Sequence, residues 1–156
     1  VWITRENICE LLSNFDTPKE MDFISLDIDN MDYWILKALF DGGYTSNILI
    51  AEFNPAFSCD ESYTKDYYSD ATKNGPYTAG SSNYGASLGA LTKLANSFGY
   101  ILIHVMTNNA IFLNTEPNAG PMTIFIVSLV SRVKQRINGR PVQRICCDLL
   151  VPANDI

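Results

Sequence analysis

At 156 residues, with 47% apolar and 18% charged positions, the chain has the length of one domain with a real core, and its composition excludes a disordered tail. Its formal charge of −6 argues against a nucleic-acid binder held by phosphate contacts. The longest apolar stretch, residues 122–130, is interrupted by Thr123 and Ser128 and is too short to span a bilayer.

The charge is uneven. Residues 132–156 carry Arg132, Lys134, Arg136, Arg140 and Arg144 against two acids, so the acidity belongs to the rest of the chain. A basic tail can touch an anionic surface, but a solvated helix face explains it more simply. Cys9, Cys59, Cys146 and Cys147 lack the paired C-x-x-C spacing of a zinc site. The expectation is therefore reduced structural thiols. No basic segment followed by an apolar run opens the chain, so no signal peptide is read and a cytoplasmic location is favoured.

In chain order, residues 1–3 read as the end of a strand. Thr4 is a fair N-cap, with Glu6 in the first turn, for a short helix over 7–12. A turn around Pro18 leads to a buried strand at 22–27, with Phe23, Ile24 and Leu26. Trp34, Ile35, Ala38 and Leu39 then recur at helical spacing, predicting a helix over 31–40 that stops at Gly42-Gly43. Residues 47–53 are rich in isoleucine and leucine, as suits a strand buried on both faces.

Residues 55–84 break the pattern, interleaving Tyr63, Tyr67, Tyr68, Tyr77 and Tyr84 with acids and small polar residues. So long a connection in a compact domain is expected to be functional, and a lid over the strand ends is the reading adopted. A helix at 86–98 presents Leu88, Leu91, Leu94, Ala95 and Phe98 on one face, and Gly99 closes it. Strands at 100–106 and 110–113, joined by a short Thr107–Asn108–Asn109 turn, form an antiparallel hairpin. Residues 117–156 form a divergent tail, with a helix expected over 123–135 that ends in basic residues. The division is thus an α/β domain over 1–116 and a tail over 117–156.

The chemistry gathers at strand ends. In open α/β sheets ligands bind beyond the carboxyl ends of parallel strands. Asp27, Asp29 and Asp32 follow the first strand; Glu52 and Asn54 close the next. Their oxygen ligands suit Mg²⁺ or Ca²⁺, but the spacing is not that of an EF-hand loop and no metal is assigned. The plainer alternative is that Asp29 or Asp32 caps the following helix and that Glu52 and Asn54 bond a turn before Pro55. His104, the one histidine, reads as a core or edge residue. Ser87 is most simply a helix N-cap, although a helix N-terminus is also an anion site. Trp34 and Tyr84 can stack on a substrate, although Trp34 on a helix flank is more often a core residue.

The strings FISLDIDNMDYWILKAL, ILIAEFNP, YGASLGALTKLANSFGY and NAIFL, in this order, resemble an FkbM-like family of S-adenosylmethionine-dependent methyltransferases. That family's pattern reads approximately S-I-D-I-D-G-N-D-Y-W, then E-[YF]-N, G-[AS]-S-L leading to G-Y, and N-A-[FI]-F-V. The matching positions are Ser25, Asp27, Asp29, Asp32, Tyr33 and Trp34, then Glu52 to Asn54, Gly85 to Leu88, Gly99 and Tyr100, and Asn109 to Phe112. The resemblance spans about residues 1–115. It implies an incomplete class I methyltransferase (Rossmann-like) sheet with a closing antiparallel hairpin. It implies S-adenosylmethionine as cofactor and methylation of a hydroxyl on a small molecule or glycan.

Within that resemblance Asp27 or Asp29 is the expected general base beside the acceptor hydroxyl. Glu52, Asn54, Trp34, Tyr84 and Ser87 are the expected substrate contacts. Asn30 and Met31 stand where the family pattern has Gly and Asn. The family's glycine-rich cofactor loop and ribose-holding acid have no counterpart in these residues. The rival reading is a non-catalytic remnant, or an ion- or carbohydrate-binding α/β domain.

Overall fold

The computed structural model describes residues 3–28, 30–69 and 84–116. The chain forms α1 (Ile8–Asn14), β1 (Glu20–Leu26), α2 (Asp32–Asp41), β2 (Thr45–Glu52), α3 (Leu88–Ser97), β3 (Tyr100–Met106) and β4 (Asn109–Asn114). The strands make one mixed sheet in the order β1-β2-β4-β3. β1 and β2 are parallel, and β4 is antiparallel to both β2 and β3. β1, β2 and β3 therefore share one direction, and the second strand of the closing hairpin slots between β2 and β3.

Local chemistry explains the crossover. Parallel neighbours need a long connection, and α2 supplies it. Gly43, at φ 77, ends the helix in a conformation that side chains disfavour. There the Gly43 and Tyr44 amides donate to the carbonyls of Phe40 and Leu39 at 2.9 Å each.

Strand register sorts the side chains into rows. Ile24, Leu49, Phe112 and Leu102 align across all four strands, and Leu26, Ala51, Ala110 and Val105 form the next row on that face. The helices cover these rows with Ile8, Ile35, Leu36, Leu39, Leu88, Leu91 and Leu94. Each such aliphatic side chain contributes about 1.5–3 kcal/mol on burial, which is what a seven-residue helix such as α1 needs to persist. Phe40 extends the packing by stacking on Phe98 at 4.6 Å and lying 5.2 Å from Tyr100.

The opposite face is also apolar. Phe23, Ile48, Leu113 and Ile101 form one row. Leu113, Ile48, Ile101 and Ile103 make a cluster separate from the helix-covered core. His104 falls in the neighbouring row with Ile50 and Ile111, exposed at its edge.

Several expectations need correcting. Ile3 belongs to no strand, so the strand end expected at 1–3 is not found in its described part. Thr4 does not cap α1; Asn7 precedes the helix, and its Oδ1 instead accepts from the Thr4 amide at 2.8 Å. Cys59 is disulfide-bonded, which overturns the expectation that all thiols are reduced, whereas Cys9 is free.

The described part of the expected lid, 55–69, is pinned down along its own length. Thr64 bridges Ala86, the Lys65 amide donates to Gly85 at 3.0 Å, and the Ser87 amide donates to Tyr63 at 2.9 Å. The remainder of the expected lid, the 123–135 helix and the rest of the tail lie outside the described residues.

Close approach fixes one glycine. A Cβ on Gly89 would collide with the Glu61 carbonyl oxygen and lie 3.1 Å from that of Cys59. Backbone cannot retreat as a flexible side chain can, so Gly89→Ala is expected to lower unfolding free energy by about 1–3 kcal/mol. Urea denaturation of the variant beside the parent checks this; equal midpoints would show that the 59–61 loop does not press on α3.

Candidate functional site

The strand-end loop after β1 is organised by Asp32, the first residue of α2. Its carboxylate, only 2% exposed, accepts from the Ile28 amide at 3.0 Å and the Asn30 amide at 3.2 Å. It thus ties the loop to the helix start and satisfies donors that would otherwise be orphaned. Burial pushes the Asp32 carboxyl above its ordinary range, against the two backbone donors that stabilise its charge; Asp27 nearby adds to the rise.

Asn30 carries the strain of this loop. Its φ of 137° lies in the region that favours glycine, and its buried Oδ1 has no hydrogen-bond partner. A glycine would adopt this conformation without the clash of a side chain. Asp27 is exposed and lines one end of a cleft of about 350 Å³ along β1. The cleft's walls are apolar, including Ile8 and Leu12 of α1, Ile24 of β1 and Ile35 of α2. Asp29 lies outside the described residues.

Glu52 goes elsewhere. Its Oε1 accepts from Asn108 Nδ2 at 2.7 Å, which fastens the end of β2 to the β3–β4 turn. Asn54, wholly buried, forms a clamp with the segment before α3. Its Nδ2 donates to the Tyr84 carbonyl at 2.8 Å, its Oδ1 accepts from the Ala56 amide at 2.9 Å, and its own amide donates to Ala86. Ser87 completes the clamp: its Oγ accepts from Tyr63 N at 2.9 Å and Ala90 N at 3.2 Å and donates to the Glu61 carbonyl at 2.8 Å. Ser87 is thus the N-cap of α3, with its hydroxyl committed.

Trp34 faces a third place. Its Nε1 donates to the Lys65 carbonyl at 2.8 Å, and the Tyr33 and Tyr67 rings meet it edge to face at 5.2 and 6.0 Å. The Arg5 guanidinium lies 3.8 Å over the Tyr67 ring and 5.8 Å from that of Trp34. The Tyr67 hydroxyl donates to Glu6, and this bond holds the Glu6 carboxyl below its usual range.

The sequence-predicted residues are therefore distributed over separate locations: Asp27 at the β1 cleft, Glu52 at the β3–β4 turn, Asn54, Tyr84 and Ser87 in a buried clamp, and Trp34 at the α1–α2 groove. Arg5 and Tyr67, which frame Trp34, carried no sequence signal because their contact joins residues 62 apart. The outward stripe Trp34, Lys37, Ala38 and Asp41, at i, i+3, i+4 and i+7, was readable. Among the described residues no group of three His, Cys, Asp or Glu side chains comes together as metal ligands. No helix there is long and apolar enough to cross a membrane. No family model, curated protein or solved structure matches the chain.

Two outcomes follow from the strand-end loop. Asn30→Gly removes a strained side chain and is expected to raise stability by about 1 kcal/mol, seen as a higher urea midpoint; a lower midpoint would show that Asn30 makes a contact that outweighs its strain. Asp32 has its pKa raised from 3.8 by burial, so the folded state holds the proton more tightly than the unfolded one. Its contribution is full below the unfolded pKa and is lost as pH rises through the folded value. Asp32→Asn should therefore flatten that part of the stability–pH curve above pH ~4, while costing about 1–3 kcal/mol near pH 4 because an amide cannot accept both backbone donors. An unchanged slope in the variant would remove Asp32 as its source.

Proposed function

We propose that these residues form the acceptor-side part of an S-adenosylmethionine-dependent, FkbM-like methyltransferase domain, acting on a hydroxyl of a small molecule or glycan. The observation that carries the reading is the strand order β1-β2-β4-β3 with β4 the one antiparallel strand. An antiparallel hairpin whose second strand inserts inward is how the later half of a class I methyltransferase sheet closes. The order and spacing of the four sequence blocks support the same reading.

Two physical features support a sheet with further elements. β1 is the terminal strand, and among the described residues its pairing is to β2 alone. The cleft beneath it is apolar, and Phe23 on its other face is 51% exposed. A parallel sheet is ordinarily covered on both faces, and here the second face carries the Phe23–Ile48–Leu113–Ile101 row.

The described residues do not by themselves fit the cofactor. The close approach at Gly89 is filled by the carbonyls of Cys59 and Glu61 and not left as a cradle for a ligand. The Ser87 hydroxyl and the Asp32 carboxylate are spent on the protein's own backbone. No step is therefore derived through the cofactor. What this chain's residues offer is Asp27, exposed at the end of an apolar cleft, as general base toward an acceptor hydroxyl.

The test compares the protein isolated from its natural source with the 156-residue chain. The isolated chain is expected to show no S-adenosylmethionine binding by calorimetry. The natural protein is expected to be longer, to bind the cofactor, and to lose about 10²–10⁴-fold in turnover on Asp27→Asn with cofactor affinity unchanged. A natural protein of 17.4 kDa without cofactor binding would sink the methyltransferase reading.

A further inference from the structure

Away from the strand ends, a groove of about 590 Å³ lies between α1 and α2. It runs from Trp34 in the first turn of α2 to Gly42 at its end. Its floor is closed: Cys9 Sγ donates to the Ala38 carbonyl at 3.4 Å, and a Cβ on Gly42 would come within 2.5 Å of that sulfur. The two helices thus meet tightly underneath and part above.

Four charges rim the opening in two pairs. Arg5 Nε bonds Glu6 Oε1 at 2.8 Å, and Lys37 Nζ bonds Asp41 Oδ2 at 2.5 Å. The rim is therefore neutral, which disfavours both a phosphate-bearing ligand and a cation. It is nonetheless rich in hydrogen-bonding capacity, since these bonds, with that from Tyr67 to Glu6, leave donors on a guanidinium and an ammonium and lone pairs on the carboxylates. At one end stands the Trp34 ring, fixed through its Nε1. Arg5 stacks on Tyr67, at 3.8 Å, and only distantly on Trp34, at 5.8 Å, and the half-buried Trp34 lines the groove.

A held aromatic plane beside a balanced set of donors and acceptors suits a ligand with an apolar C–H face and a ring of neutral hydroxyls. We infer that this groove binds an uncharged pyranose sugar, stacked on Trp34 with its hydroxyls bonded to Lys37 and Asp41. The inference uses neither Asp27 nor the β1 cleft; Trp34 is its one residue in common with the methyl-transfer reading, so sugar binding and cofactor binding are tested separately.

The experiment is saturation-transfer NMR on the full chain with methyl glucopyranoside, galactopyranoside and mannopyranoside, beside glucuronate, glucosamine and inorganic phosphate. At least one neutral pyranoside is expected to bind saturably with Kd on the order of 1 mM, as suits about a dozen heavy atoms. Lys37→Met and Asp41→Asn, both at exposed helix positions, should each weaken it about tenfold. Trp34→Phe, which keeps a ring but loses the Lys65 bond, should retain part of the affinity, and Trp34→Ala none. Circular dichroism on each variant separates lost binding from lost folding, and the two α2 rim variants carry the test if Trp34→Ala unfolds. No saturable neutral sugar, affinity indifferent to Lys37 and Asp41, or binding confined to the charged probes would each overturn the assignment.

Discussion

The end of β2 is held by buried polar groups that have to satisfy one another. Asn54 and Ser87 are both fully buried. Between them they take up backbone groups of Ala56, Glu61, Tyr63, Tyr84 and Ala90. An unmade bond at such a site costs about 1–3 kcal/mol, more than a typical made one contributes net. The clamp therefore works chiefly by making any other path of the 55–65 and 84–87 segments expensive. From it follow the approach of Glu61 to Gly89, the capped start of α3, and the anchoring of Lys65 where Trp34 can reach its carbonyl.

The sequence revealed the elements and hid their partners. The helical spacing of Trp34, Ile35, Ala38 and Leu39 and the apolar run 47–53 predict α2 and β2 to within a few residues, because periodicity records which face is buried. The short turn at Thr107 and Asn108 likewise fixes the β3–β4 hairpin. A hairpin says only that its two strands are neighbours, however. That β4 and not β3 lies against β2 is decided by which strand can match both Leu49 with Phe112 and Ala51 with Ala110, a long-range choice. Asn54, Ser87 and Asp32 show a different limit. A polar residue at a strand end reads the same whether it waits for a ligand or closes a loop, and the two cases differ only in burial and partners. Asn30 is intermediate: its oddity was visible as a departure from the family pattern, but the φ of 137° that explains it was not.

The same contrast separates the two open features of the molecule. The cleft along β1 is apolar, with Asp27 in its lining, and it borders a strand that among the described residues pairs with β2 alone. The α1–α2 groove is balanced in charge and rimmed by side chains already paired, so water and small hydroxylated molecules compete there on nearly equal terms. Surface ion pairs such as Lys37–Asp41 contribute little to stability, with a usual value of about 0–1 kcal/mol. Their weakness leaves a ligand little to displace.

The second face of the sheet is packed separately from the first. Ile48, Ile101 and Ile103 gather around Leu113 in a cluster that shares no member with the helix-covered core. α1, α2 and α3 all contribute to that core, on the other side. A strand carrying Ile48, Ile50 and Leu49 in succession is apolar on both faces, the pattern of a strand in the middle of two layers. That second row is itself largely covered: Leu113 is 2% exposed and Ile48 and Ile101 are half-buried, while Phe23 at its β1 end is 51% exposed. The open end of the row thus lies at β1, the strand that among the described residues pairs with β2 alone. The loop that follows β1 takes its order from the other side of the sheet, through the Asp32 carboxylate at the start of α2, so the site end of the strand is held independently of the second face.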